Sequence, residues 1–164
     1  MYYIRHATIN DVETIRQLAD KTWWAAYSSI LEKEQIAFML NEIYSPGKIT
    51  AQLADGSQTY LLLIEDENPV AFAAFSPREN NDEIYKLHKL YCLPETQGKG
   101  YGKILIEKVI DEVLNAGIRF LDLNVNRHNK AKTFYEKMGF TIIYEEDIPI
   151  GHYFMNDYVM RKEL

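Results

Sequence analysis

Between an alternating apolar stretch and an amphipathic one, the chain places Gln97-Gly98-Lys99-Gly100-Tyr101-Gly102-Lys103, with glycine at every second position from 98 to 102. Upstream, Ile84 to Leu93 alternates as a strand with one face in a core, and Pro94 ends it. Downstream, Ile104, Leu105, Val109 and Val113 recur at helical spacing between Lys103 and Leu114, with Gly117 as the stop. A strand feeding a helix through such a turn demands a fold that mixes the two. The glycines allow unusual backbone torsions and remove side chains that would block a ligand. The helix start adds unpaired N–H groups and the positive end of its dipole, so the natural guest is a phosphate or pyrophosphate. Lys99 and Lys103 reinforce that charge preference.

Two common phosphate motifs are excluded by position. A dinucleotide fingerprint beginning at Gly98 needs glycine at 103, where Lys103 stands. A P-loop ending in Gly102-Lys103 needs glycine at 97 and Ser or Thr at 104, where Gln97 and Ile104 stand.

The rest of the chain supplies the frame. Tyr3 to Ala7 reads as a first strand, and Asn10 or Asp11 can cap a helix carrying Val12, Ile15, Leu18 and Ala19. After the aromatic patch Trp23, Trp24 and Tyr27 comes a helix from Glu32 to Tyr44, broken by Pro46-Gly47, then a short helix from Lys48 to about Leu53. Tyr60 to Ile64 and Pro69 to Phe75 form a hairpin leading into the strand before the glycine turn. Phe120 to Val125, a helix from Asn129 to Met138, and strands at Thr141 to Glu145 and Tyr153 to Arg161 complete the order. Such an order implies one mixed sheet covered by helices.

With 164 residues the chain fits one domain, 1–164, large enough to bury a core. Its formal charge of -6 argues against nucleic acid or anionic membrane as partner. A lone Cys92 forms no internal disulfide, the N-terminus lacks a secretory signal, and no stretch nears the ~18 apolar residues of a membrane span, so a cytoplasmic location is expected. Scattered histidines, without H-E-x-x-H or a cysteine pair, point to no metal.

Gln97-Gly98-Lys99-Gly100-Tyr101-Gly102 resembles the pyrophosphate signature Q/R-x-x-G-x-G/A of the GNAT superfamily of N-acetyltransferases. Asn129 to Phe140 is similar to that family's second signature, and the order of elements matches over nearly the whole chain. The lead-in helices and the ending Tyr153 to Met160 look like the branch that includes bacterial polyamine acetyltransferases. The resemblance implies an α/β (α+β mixed) fold: a mixed, mostly antiparallel sheet of about seven strands, splayed between the fourth and fifth, with helices on both faces. It also implies transfer of acetyl from acetyl-CoA to a primary amine by direct attack in a ternary complex, the amine being a small molecule such as a polyamine, or a peptide or protein amine. A homodimer is implied too, with the last strand as its contact edge. The alternative is a sensor of the same fold that binds acyl-CoA without turnover.

On this resemblance, the backbone of Leu90, Tyr91, Cys92 and Leu93 would pair with pantetheine and face the acetyl carbonyl, where amides stabilise a developing oxyanion. Gln97, Gly98, Lys99, Gly100, Tyr101, Gly102 and Lys103 would wrap the pyrophosphate, and Asn129 and Lys132 would touch the coenzyme elsewhere. Tyr135 would be the general acid, since a phenol of pKa ~10 is well matched to a departing thiolate. The attacking amine must lose a proton, and Glu83, His88 and His152 are the candidate bases, with no spacing rule to choose among them. A nucleophilic Cys92 has no recognisable histidine partner and reads as a small buried hydrophobe. Trp23, Trp24 and Tyr27 are candidates for an aromatic wall at the acceptor site, though the same residues also read as helix core.

Overall fold

The alternating and continuous apolar runs become one seven-stranded sheet in the computed structural model, which describes residues 1–164. Its strands are β1 (Tyr2–His6), β2 (Thr59–Glu65), β3 (Asn68–Arg78), β4 (Asn81–Cys92), β5 (Phe120–Asn126), β6 (Thr141–Ile150) and β7 (Tyr153–Glu163). They lie in the order β1-β2-β3-β4-β5-β7-β6, antiparallel throughout except for the parallel β4–β5 pair. A parallel pair requires a crossover, supplied here by α4 (Tyr101–Asn115). β7 is flanked by β5 and β6, so the expected contact edge is not an edge; β1 and β6 hold that position.

Tyr60–Ile64 and Val70–Phe75 are buried without alternation, which requires cover on both faces of the sheet. The helices α1 (Val12–Tyr27), α2 (Lys33–Ile43), α3 (Pro46–Asp55), α4 and α5 (Ala131–Lys137) provide it. Along α1, Ile15, Ala19, Trp23 and Tyr27 are all buried, four residues apart. The aromatic patch is therefore the last half of one long helix, continuing its core stripe. Asp11 stands at its N-cap but makes no side-chain capping bond to it; Thr8 opens a short 3-10 turn with a reciprocal capping box, the Thr8 hydroxyl taking the Asn10 N–H while the Asp11 carboxylate takes the Thr8 N–H at 2.7 Å. Pro46 starts α3 instead of preceding it, because a first-turn residue needs no N–H and Ser45 caps the turn. On α4 the inward positions are Tyr101, Leu105, Ile106, Val109 and Val113, while Ile104 is half-buried.

The cleft arises at a defined point. On β4, Leu87 pairs with Phe75 and Lys89 with Ala74, leaving His88 as a bulge. A bulge bends its strand and increases its twist. Pairing of β4 with β5 runs from Ile84/Phe120 to Leu87/Leu123 and ends there, immediately before the bulge. Beyond it the two strands part, as the resemblance implied.

Below the parting, Asp122 is fully buried and holds two arginines, Arg78 Nε of β3 at 2.8 Å and Arg161 Nε of β7 at 2.7 Å. This ion triad links both halves of the sheet where no ligand need enter.

Candidate active site

Gly98 and Gly100 have φ of +90° and +76°, the left-handed region that side chains with a Cβ avoid. Those torsions turn the chain from β4 into α4. The first helical amide to bond backwards is that of Ile104, to the Gly100 carbonyl at 3.1 Å. The N–H groups of Gly98, Gly100, Tyr101, Gly102 and Lys103 consequently have no acceptor in the protein. At Gly102 an added Cβ would lie 3.6 Å from Phe134 and 3.9 Å from Cys92 Sγ, ordinary contacts, so packing alone does not demand glycine. Five free donors at a helix start, with side chains removed, suit a diphosphate.

Not every residue of the expected wrap faces that way. The Gln97 amide bonds to Pro94 and the Lys99 amide to Thr96, closing turns within the loop. The Lys99 ammonium reaches Glu65 of β2 at 2.7 Å, and the Tyr101 hydroxyl donates to the same carboxylate, so both brace the loop against the sheet. Leu93 also turns into the fold, its amide on Val70 and its carbonyl on Thr96. Lys103 stays on the loop's open side.

Where β4 and β5 part, a cavity of about 320 Å³ is lined by Leu90, Tyr91, Cys92, Gln97 and Asn129, with Tyr135 of α5 on its wall. Asn129 accepts the Ala131 N–H at 2.9 Å and so starts α5. Burial first, then Tyr27 and Cys92 nearby, push the Tyr135 phenol upward, so it keeps its proton and is always a donor. Burial also pushes the Cys92 thiol up to about 11, the opposite of an activated nucleophile. Lys132 does not line the cavity; it pairs with Glu136 at 3.4 Å and lies over the Tyr158 ring.

A second cavity, of about 200 Å³, opens beside the first, and Tyr27, His88, Tyr91 and Asn124 line both. Trp23, Ile43, Ile148, Ile150 and Met155 form its apolar walls. The Tyr27 and Tyr91 hydroxyls meet at 3.1 Å on the partition. Trp24 lies elsewhere, its indole on Asp20 at 3.1 Å.

Of the three candidate bases, His88 alone lines these cavities. Its Nε2 is 2.7 Å from Ser76 Oγ, and burial, then Lys86, Lys89 and Arg78, pushes it down to about 3. A histidine so shifted is neutral at physiological pH and a weak proton acceptor. Glu83 is exposed at the far end of β4, five residues or roughly 16 Å of strand from His88. His152 is exposed in the β6–β7 turn, edge-on to Phe38 and tilted against Tyr153.

The residue that sequence reasoning passed over is Asp157, in the second cavity and 4% exposed. Desolvation pushes its carboxyl up to about 6, against the opposing hydrogen bond from Asn124. Its signal was the alternation Met155, Asp157, Val159, which places an acid on the inward side of a strand.

The profile described as Acetyltransferase (GNAT) domain matches residues 28–161. An uncharacterised N-acetyltransferase of Mycobacterium tuberculosis is 29% identical over 157 residues, covering 95% of this chain and 99% of that protein. A spermidine N(1)-acetyltransferase of Thermoplasma acidophilum is 28% identical over 144 residues, covering 85% of this chain and 88% of that one. The crystal structure of the PaiA N-acetyltransferase of Thermoplasma acidophilum in complex with coenzyme A superposes with a TM-score of 0.86 at 27% identity, covering 100% of this chain and 99% of that one. Carried by a sheet that parts after its one parallel pair and by a match over most of its length, this chain belongs to the GNAT family of N-acetyltransferases.

Proposed function

We propose that the protein transfers acetyl from acetyl-CoA to a primary amine by direct attack within a ternary complex. The observation that carries this is the run of free amides at Gly98, Gly100, Tyr101, Gly102 and Lys103, set directly beside the parting of β4 and β5. Those amides would hold the pyrophosphate, with Lys103 adding charge. The pantetheine arm would lie along Leu90, Tyr91 and Cys92 in the first cavity, leading the thioester towards Tyr135. Main-chain N–H groups facing the acetyl carbonyl would bind its oxygen more tightly as negative charge grows on it. Tyr135 would give the thiolate its proton as it leaves, although burial raises its phenol above the matched value and makes it a weaker acid than the free side chain. Cys92 takes no covalent part, being neither ionised nor paired with a base.

The acceptor would enter from the second cavity, whose aromatic walls favour a cation on an apolar arm. The spermidine-acetylating relative puts polyamines first among amines to try, followed by peptide N-termini and amino acids. Calorimetry with acetyl-CoA, ATP and NAD tests the coenzyme reading: binding of acetyl-CoA alone is expected, and preference for either nucleotide would sink it. Amine-dependent thiol release separates an enzyme from a binding module that senses acyl-CoA.

A further inference from the structure

Two residues that line the second cavity each carry a buried acceptor oxygen without any donor in the protein. Asn124 Nδ2 donates to Asp157 Oδ2 at 3.2 Å, which leaves Asp157 Oδ1 and Asn124 Oδ1, both buried, without partners. Orphaned buried acceptors cost free energy unless something with N–H or O–H groups completes them. Both side chains line the second cavity, and Asn124 lines the first as well, so the pair stands at the passage between them. Two neighbouring unpaired oxygens, one anionic, among Trp23, Tyr27 and Met155 match a group carrying several N–H donors and a positive charge on an apolar arm.

We infer that Asp157 and Asn124 cradle the acceptor's ammonium and that Asp157 is the base that removes its proton. The inference rests on the acetyl-transfer reading and assigns a catalytic residue on β7 where the histidines and Glu83 were the candidates. One N–H proton passes to the Asp157 carboxylate and on to solvent, freeing the nitrogen lone pair. That pair forms the bond to the acetyl carbon, and the carbon–sulfur bond breaks with its electrons leaving on sulfur. The second proton lost by nitrogen balances the one delivered to the thiolate.

The groups around Asp157 fit this work. Lys86 of β4 and Arg127 after β5 lower its carboxyl's proton affinity, Glu146 of β6 raises it, and desolvation outweighs them all. The Tyr27 hydroxyl of α1 feels the same charge. A carboxyl that titrates near neutrality can hold an ammonium as an anion and still accept its proton. Lys86 lines the same cavity, a positive charge that disfavours a second cationic group there.

The test uses the full chain with butylamine, tyramine, spermidine and an alanine-initiated peptide, following thiol release from pH 5.5 to 9.5. Asp157→Asn keeps the side chain's shape and should lower kcat/KM for the amine by about 100-fold at pH 7, the usual scale of a lost general base. Acetyl-CoA affinity by calorimetry should stay within about twofold, a split that generic loss of structure does not produce. The deficit should shrink as pH rises and free amine accumulates, and Asp157→Glu should restore part of the rate. Asn124→Ala should raise KM for the amine more than it lowers kcat. Wild-type rates in Asp157→Asn, or a parallel fall in acetyl-CoA affinity, would overturn the assignment of Asp157 alone. Thiol release with none of the amines by wild-type protein that binds acetyl-CoA would overturn the transfer reading itself.

Discussion

Tyr135 and Asp157 are buried ionisable side chains held on opposite sides of one partition, and their different positions suit different proton tasks. Tyr135→Phe keeps the ring packed on Phe134 and Phe140 but removes the donor. Turnover should fall by about 100-fold with little change in acetyl-CoA affinity, measured by steady-state kinetics and calorimetry. Asp157 has a thermodynamic signature as well. Its folded-state carboxyl is raised to about 6, so the folded protein holds that proton more tightly than the unfolded chain. The resulting stability is complete below the ordinary carboxylate range and is lost as pH rises through about 6. The melting temperature of Asp157→Asn relative to wild type should therefore climb between pH 4 and pH 7.5; a flat difference would mean the carboxyl titrates as an exposed one. Tyr135 stands in a motif, whereas Asp157 carries none: alternation marks it as inward-facing, and its burial is seen only once β7 is packed against β5.

At the scale of elements, the glycine turn was readable because its residues act through their own backbones. Gly100 at φ +76° is the N-cap of α4, and nothing lies within 4 Å of where its Cβ would be. Valine there would meet no wall but would strain the left-handed backbone by roughly 1–2 kcal/mol or more. Gly100→Val should abolish acetyl-CoA binding by calorimetry while the circular dichroism spectrum stays native; unchanged affinity would place the diphosphate elsewhere. The Lys99 and Tyr101 side chains were less legible. Their partner, Glu65, is 34 and 36 residues away on β2, a contact no local spacing announces. The same holds for the extent of α1, where Trp23 and Tyr27 read as a separate patch until the four-residue stripe from Ile15 is seen to continue through them.

Across the whole molecule, the sheet is clamped below the point where β4 and β5 part. Asp122 joins Arg78 on β3 to Arg161 on β7 from a fully buried position. Removing one partner of a buried charge network strands the others, at about 3 kcal/mol or more. Asp122→Ala should lower the urea midpoint accordingly, and a shift within error would mean that the arginines find water instead. No helix is long and apolar enough to cross a membrane.

By itself the sequence determined the order of elements, the mixed sheet and the glycine turn that opens α4, because hydrophobic period and glycine torsion are local properties that neighbours in the chain announce. Only the tertiary structure decided where β4 leaves β5, that β6 and not β7 forms the sheet's edge, and which acid lines the second cavity. Those depend on register, on a bulge at His88, and on burial supplied by residues distant in the chain. A carboxylate's role follows from the company it keeps, and that company assembles only on folding.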